Sequence, residues 1–520
     1  MPADRDRSTY HDTPLRALID TKKSSHADAP YLLDARSDRE VSYGQLEATV
    51  TEWRDTLSSW RIDGAERVGL LISDPVDFSL CFVSLLAAGV WVAPMDPTIT
   101  YANGTQLNER IANLHLSHVL ADRPAPFEAR VRWHQLSIAH STSGTERAGD
   151  VSPGQPHDGG VILASSGTTG TPKIMALPTA QLLHTARLIA RHNALEPTDR
   201  GLNPLPLWHI NAEVVGLLAT LVSGSSLCLD QRFHRTGFWA LVERCQVTWI
   251  NAVPAIISRL SVLHDGESVP ERIRFVRSAS APLSPALLSQ FEAMSGVPVI
   301  ESYGMTEAAS QISANPLGGP RKIGSVGRAV GVEVRVIQTE RARPGTSTPV
   351  HEVGRVEIKG PSVITRYDGA GYEDRFDADG WLDTGDLGYF DDDGFLFLVG
   401  RSDDVINRGG EKIFPREIED VILSVNGVVG AAVIGIDDDV FGQVPTSYVQ
   451  LDGVSSSTPI EDLKIATKEI HDALVAAFSR ARRPVNINVV AELPAHATGK
   501  IQKKVLDAGS VPVLFQEHVS

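Results

Sequence analysis

The chain has 520 residues, 42% of them hydrophobic and 22% charged, with a formal net charge of −16 at pH 7. That length exceeds one ordinary core and asks for a large, subdivided domain plus at least one smaller one, and the composition is globular, neither disordered nor fibrous. The acidic balance excludes a nucleic-acid binder, which needs a basic footprint to displace counterions, but leaves room for a positive pocket that takes a small anion.

The first residues (MPADRDRSTYHD) are polar and lack the apolar core of a signal peptide. From about Thr13 to Asp122, helices alternate with short apolar strands, such as the strand at 67–72 (RVGLLI), a helix from Asp77 and a strand near Trp91. That order implies a largely parallel, covered sheet. The longest apolar stretch, 78–93, is interrupted by Ser79, Ser84 and Gly89 and is short for a membrane span. It reads as a buried helix followed by a strand at 90–93. Three cysteines, Cys81, Cys228 and Cys245, lie far apart and suit neither a disulfide framework nor a zinc site. Buried thiols, a cytoplasmic location and no membrane span are the expectation.

A polar stretch at 140–160 reads as a surface connection, after which the α/β alternation resumes and runs to about Gly331. Residues 332–337 and 354–358 then suggest an antiparallel, β-rich subdomain. The character changes near Arg401. Pro415 opens a helix whose first turns carry Glu417, Glu419 and Asp420, where the helix dipole favours acids. A strand at 428–436, an amphipathic helix at 459–477 and a strand at 485–490 complete a compact α+β unit.

The most informative segment is 161–178 (VILASSGTTGTPKIMALP). An apolar strand enters a run containing Ser166, Gly167, Thr168, Thr169, Gly170 and Lys173. Glycines let backbone N–H groups crowd an anion, hydroxyls add donors, and the lysine supplies charge, which is the chemistry of holding a polyphosphate. It is not a Walker A loop, because Pro172 precedes the lysine and Ile174 stands where a magnesium-binding hydroxyl is needed. A second strand follows, and a helix starts only with Thr179 as its N-cap. Standing alone, such a run is as readily a flexible loop; the Pro-Lys pair and the flanking strands set it apart.

This segment resembles the phosphate loop of the adenylate-forming superfamily of acyl-CoA synthetases, adenylation domains and luciferases. It departs from most members at Ile174, where they have glycine. Further signatures follow in order over nearly the whole chain. Residues 303–307 (YGMTE) resemble the adenine and magnesium motif, which implies that Tyr303, followed by Gly304, stacks on adenine, Thr306 bonds the α-phosphate and Glu307 holds Mg²⁺. Residues 278–283 (SASAPL) resemble the segment lying along adenine, with Ser280, Ala281 and Pro282. Asp386 and Arg401 resemble the ribose-binding pair. Residues 494–501 (PAHATGKI) resemble the tail motif, with Lys500 the catalytic lysine that neutralises charge as pyrophosphate leaves; Lys503 and Lys504 are expected to be solvated.

The resemblance implies a large N-terminal domain of layered α/β subdomains plus a β-rich subdomain over 1–400. It also implies a hinge at 401–404 pivoting on Asp403 and a small mobile C-terminal domain over 405–520. It implies two half-reactions: an acid and Mg·ATP give acyl-AMP and pyrophosphate, then coenzyme A takes the acyl group and AMP leaves. Rotation of the small domain withdraws Lys500 and brings in Gly409, Gly410 and Glu411 to line a pantetheine tunnel. By the same similarity Trp208, His209, Asn211, Asn251, Arg277, Ser278, Ala279 and Ser302 border the acid, with His209 also placed among the catalytic groups. Arg277 either pairs with a second carboxylate or lies outside the pocket, and Val214, Val215, Gly216 and Leu218 would suit an apolar acid.

Phrases such as PLWHINAEVVGLL and RSASAPL are nearest to oxalate–CoA and 4-coumarate–CoA ligases, and the acid is left open among oxalate-like, aromatic and bulky ones. The expected partners are a small carboxylic acid, ATP and CoA, with no nucleic acid and a homodimer left open. The alternatives are a ligase loading a separate carrier protein, luciferase-like oxidation of the adenylate, and a non-catalytic AMP-binding sensor. Lys500, Glu307 and Asp386 all being present counts against the last.

Overall fold

The computed structural model describes residues 13–64, 66–98, 104–125, 131–136, 159–165, 173–338, 348–369, 371–496 and 499–519. The described residues form an α/β fold with four sheets. A nine-stranded sheet has six parallel strands at its centre, in the order Val299–Tyr303, Phe275–Ser278, Trp249–Ala252, Arg200–Asn203, Ser226–Leu229 and Pro30–Asp34, with antiparallel strands at both edges. These strands are short and nearly continuously buried, as a sheet covered on both faces requires.

A second, six-stranded sheet is parallel through Arg67–Leu71, Trp91–Pro94 and their neighbours and ends in the antiparallel hairpin Gly160–Ser165/Lys173–Pro178. The helix feeding it, Pro75–Ala87, is buried on nearly every face. It starts two residues before the expected Asp77, because Asp74 caps the backbone N–H groups of Val76 and Asp77 and Pro75 is pre-set for the first turn. The helix after the hairpin, Thr179–His192, corrects another expectation. Pro178 occupies the cap, no side chain caps it, and Thr179 is already helical with a buried hydroxyl.

The expected β-rich part is a four-stranded antiparallel sheet, Glu333–Ile337, Gly354–Lys359, Leu382–Phe390 and Leu396–Arg401. Every strand of the fourth sheet comes from residues beyond Arg401, and its core, built on Ile406, Ile418, Val433, Val449 and Ile470, shares no member with the cores of the preceding residues. The helices Pro415–Leu423 and Ile460–Ala477 cover it. Its central strand Gly442–Leu451 was not expected, because the buried residues Thr446 and Ser447 read as polar. Asn488 donates to the Thr446 hydroxyl and Ser447 donates to the Asn486 carbonyl, so both hydroxyls are accommodated in the interior.

Lys503 is likewise not simply solvated. It pairs with Glu419 at 2.7 Å and reaches Asp404 at 4.0 Å, tying the segment after Lys500 to the residues just past Arg401. Among the described residues, no helix is long and apolar enough to cross a membrane.

Candidate active site

In an open parallel sheet the strand carboxyl ends leave a crevice where ligands bind, and here four adjacent strand ends carry polar side chains. Asn203, Asn251, Arg277 with Ser278, and Ser302 with Tyr303 stand at or next to the ends of their strands. Asn251 donates from Nδ2 to Oδ1 of Asn203 (3.0 Å) and Oδ1 of Asn211 (3.2 Å). Asn211 donates to the Ser280 hydroxyl at 3.3 Å. Arg277 is 1% exposed and donates to the amide oxygens of Asn211 (3.4 Å) and Gln311 (2.8 Å), while its Nε has no partner. Burial draws its guanidinium down to about 10.

Ser302 donates to the Ser278 carbonyl at 3.1 Å, and Ala279 is buried beside them. A small cavity opens above this floor between Leu205, Pro206, His209, Asn211, Val253 and Ser280. Trp208 lies beside His209, with ring centroids 6.2 Å apart. Burial holds the His209 imidazole at about 4, against a smaller opposing pull from Asp96, with Arg110 adding to the effect of burial.

Val214, Val215, Gly216 and Leu218 are buried in a π-helical stretch, Ala212–Leu218. Glu213, within it, is fully buried without a partner for either oxygen, and burial raises its carboxyl far above the usual carboxylate range. Irregular helices of this kind concentrate at functional sites.

The second half of the site lies between the large sheet and the four-stranded one. The Tyr303 hydroxyl donates to Asp386, which also accepts from Arg401 at 3.2 Å, and Asp386 and Arg401 are cross-strand partners. Gly304 allows this turn, since a Cβ there would sit 1.4 Å from the Ser310 carbonyl oxygen. Just beyond the 3₁₀ turn Thr306–Ala308, Ala309 and Ser310 hold positive φ (49° and 91°), and Ser280 in the facing segment does too (73°). Strained non-glycine backbone clusters at sites where geometry is over-determined. Beside Ser280, Ala281 is half-buried and Pro282 exposed.

Glu307 is buried and accepts from the Tyr367 hydroxyl at 3.0 Å. Lys173 stands at the mouth of the hairpin, opposite Ser165, with its ammonium 5.7 Å and 5.0 Å from the ring centroids of Tyr367 and Tyr372. Burial and the cations Arg375 and Arg401 lower its pKa, while Glu307 and Asp403 oppose them. Arg375 donates to the Asp383 carbonyl at 3.1 Å. Gly385 favours glycine, because its φ is +75° and a Cβ would crowd the guanidiniums of Arg401 (2.9 Å) and Arg375 (3.3 Å). The cations Lys173, Arg375 and Arg401 thus converge here, with Asp386 paired to Arg401, a field that can receive a polyphosphate. Arg375, Tyr367 and Tyr372 were not expected from the sequence. Residues Ser166, Gly167, Thr168, Thr169 and Gly170 lie outside the described residues.

Lys500 is exposed on a short tail loop closed by the His496 N–H on the Lys500 carbonyl (2.9 Å) and an Ala495–Ile501 bridge. Gly499 rests against Val253 and Ala255, and Val253 also borders the His209 cavity. The tail therefore sits against the edge of this cavity. Gly409 and Gly410, by contrast, form an exposed hairpin turn before Glu411. Their backbone N–H groups bond the Phe441 carbonyl and the Asn407 side chain, both within the last sheet's unit. Asp403 is exposed in the 3₁₀ turn Ser402–Asp404, between Arg401 and the last sheet.

Residues 19–368 match the family of AMP-binding enzymes, and residues 417–500 match the AMP-binding enzyme C-terminal domain. The chain belongs to the AMP-binding enzyme family. It is 33% identical to the sulfoacetate–CoA ligase of Cupriavidus necator, over 94% of this chain and 96% of that one. It is also 33% identical to the oxalate–CoA ligase of Arabidopsis thaliana, over 84% and 87%. Among solved structures it resembles ATP-bound MatB from Rhodopseudomonas palustris (TM-score 0.82, 25% identity, 95% and 98% covered). It also resembles the o-succinylbenzoate coenzyme A synthetase of Bacillus subtilis with AMP (TM-score 0.79, 25% identity, 94% and 97% covered). The chain is an adenylate-forming acid–thiol ligase that uses ATP, Mg²⁺ and coenzyme A and acts on a small-molecule acid.

The donor set suits the metal. Among the described residues no three His, Cys, Asp or Glu side chains group as a metal site, and Glu307 offers one carboxylate beside the cationic corner. Mg²⁺ is ordinarily held by one or two carboxylates plus substrate phosphates, so this corner fits it.

Proposed function

We propose that the acid this ligase activates is small and carries a second anionic group, a carboxylate or sulfonate, held by Arg277. The observation that carries the reading is a buried guanidinium whose described partners are all amide oxygens and whose Nε is free. A buried cation without a counter-ion is costly, and perturbed groups of this kind concentrate at functional sites. Support comes from the relatives, which are named for sulfoacetate and oxalate.

In this reading Asn211, Asn251, Ser278, Ala279, Ser302 and Trp208 shape the acid site around Arg277, and neutral His209 borders the reacting carboxylate. Ser280, Ala281, Pro282, Tyr303 and Gly304 hold adenine, and Asp386 with Arg401 the ribose. Ser166, Gly167, Thr168, Thr169, Gly170, Lys173 and Thr306 hold the phosphates. Glu307 would hold Mg²⁺, which supplies charge neutralisation on the phosphates. The acid's carboxylate attacks the α-phosphorus and pyrophosphate leaves, with Lys500 stabilising the developing charge. Residues 1–400 and 405–520 act as two domains joined by 401–404. Rotation about Asp403 then exchanges Lys500 for Gly409, Gly410 and Glu411, and the CoA thiol displaces AMP from the acyl carbonyl. A cytoplasmic setting and a homodimer belong to the same reading, and light scattering checks the latter.

The test is a panel of monoacids and counterparts bearing a second carboxylate or sulfonate, assayed by ATP–pyrophosphate exchange and then by CoA thioester formation. The wild type should prefer the dianions. Hydrogen bonds to charged groups are worth enough that Arg277→Met should cut kcat/KM for dianions by about tenfold to a hundredfold, leaving monoacids nearly unchanged. Equal losses for both classes would make Arg277 a structural residue and overturn the reading.

A further inference from the structure

Two amides hold Arg277, and they are not equivalent. Asn211 shares its Oδ1 between Arg277 (3.4 Å) and Asn251 (3.2 Å), whereas Oε1 of Gln311 accepts from Arg277 alone among the described residues, at 2.8 Å. Gln311 is 2% exposed, and its Nε2 has no partner. A guanidinium carries donors only, so the amide oxygen must face it and the unpaired group is an N–H.

An irregular turn, not a strand, puts this amide under Arg277. Ala309 and Ser310 both hold positive φ (49° and 91°). The Ser310 N–H donates to the Met305 carbonyl (3.1 Å) and the Ile312 N–H to the Tyr303 carbonyl (2.8 Å), which closes the turn on either side of Gln311. It lies directly on Gly304, where a Cβ would stand 3.1 Å from Cα of Gln311. Backbone strain of this kind persists where the surrounding structure over-determines a geometry.

We infer that Gln311 determines the preference for an acid with a second anionic group, by fixing Arg277 in place with a neutral amide. The inference rests on the proposed role of Arg277 and adds a determinant to it. A carboxylate at this position would make the same bond but would cancel the buried charge, so that a second anion would gain little by binding there. An amide holds the guanidinium and leaves its field to the substrate, in surroundings whose low dielectric strengthens it. The unpaired Nε2 of the same amide gives that anion a further donor, as buried donors are ordinarily satisfied. Gln311 is thus mainly a positioning residue. The second anionic group is held equally before and during the reaction at the other end of the acid, so losing the hold shows in KM.

The experiment measures ATP–pyrophosphate exchange by the full-length wild type, Arg277→Met, Gln311→Glu and Gln311→Met. The probes are sulfoacetate, oxalate and succinate, with acetate and propionate as monoanionic counterparts. Gln311→Glu should lower the ratio of kcat/KM for dianions to that for monoacids by about tenfold to a hundredfold, through the KM of the dianions. Gln311→Met keeps the volume and the neutrality but loses both the oxygen and the N–H, and should lower the ratio by about tenfold along the same route. Circular dichroism checks folding, and if Gln311→Glu does not fold, Gln311→Met carries the test. An unchanged ratio in the folded Gln311 variants, with or without a general loss of rate, would overturn the inference while Arg277→Met still decides the role of Arg277. A wild type that prefers no dianion, or an Arg277→Met that loses both classes alike, would overturn the reading beneath it and the inference as well.

Discussion

The floor of the proposed acid site and the tail that carries Lys500 are built in opposite ways. Asn203, Asn251 and Arg277 are almost entirely buried, and Asn211 bonds to both Asn251 and Arg277. Strand order fixes their positions, and the surrounding sheet cannot move one without moving the others. Lys500 sits on an exposed loop that touches the end of the strand Trp249–Ala252 through Gly499 against Val253 and Ala255. In the proposed function this difference is a division of labour: recognition is built into a rigid sheet, and the charge for one half-reaction is delivered by a piece that can leave.

The sharpest way to break that division is Lys500→Ala. Removing one group that stabilises transition-state charge should slow adenylate formation by about a hundredfold to a thousandfold. Thioester formation from supplied acyl-AMP should persist. Equal loss of both half-reactions, measured by pyrophosphate exchange and by acyl-CoA release, would contradict it. Asp403→Pro addresses the movement itself, because proline fixes φ near −65° and removes a donor. In a folded variant, CoA-dependent turnover should drop by about a hundredfold while pyrophosphate exchange stays within about an order of magnitude.

Two smaller effects sharpen the fixed side. Glu307→Gln gives a hard cation a poorer ligand, so adenylation should need more Mg²⁺ and slow by about tenfold. A magnesium titration of pyrophosphate exchange measures it, and an unchanged requirement would assign Glu307 to structure, alongside Tyr367. The smallest effect concerns His209, held at about 4, below its ordinary 6.5. It stays neutral at working pH and should add no limb to the rate profile between about pH 5 and 8. Between 6.5 and 4 the unfolded chain binds the proton and the folded one does not, so this residue's contribution to stability is lost as pH falls through that window. His209→Gln should flatten the acid-side fall in melting temperature, and an unchanged slope would show that His209 does not set it.

Sequence made the site legible where chemistry is concentrated in a short run. The strand-flanked loop ending in Lys173, the YGMTE run and the Asp386–Arg401 pair each carry residue types that a nucleotide requires, and the structure gathers Lys173, Tyr303, Glu307, Asp386 and Arg401 in one region. Arg375, Tyr367 and Tyr372 were not legible, because they stand in an irregular stretch and gain their meaning only from folding over Lys173. Lys503 read as solvated because its partners, Glu419 and Asp404, are remote in sequence. The parallel sheet and the change of character near Arg401 were readable from periodicity, whereas the strand Gly442–Leu451 was hidden by hydroxyls on its buried face.

The central claim, a fixed floor and a departing tail, is tested most directly by a distance between the two. Spin labels at exposed Arg187, on a helix of the large domain, and exposed Lys468, on the helix Ile460–Ala477, can be introduced as cysteines in a Cys245→Ser background. Pulsed electron paramagnetic resonance then compares the protein with ATP and with a non-hydrolysable acyl-adenylate analogue plus CoA. The account predicts two separate distance populations, with the ATP state matching the arrangement in which Gly499 rests on Val253. A single unchanged distance in both states would contradict it.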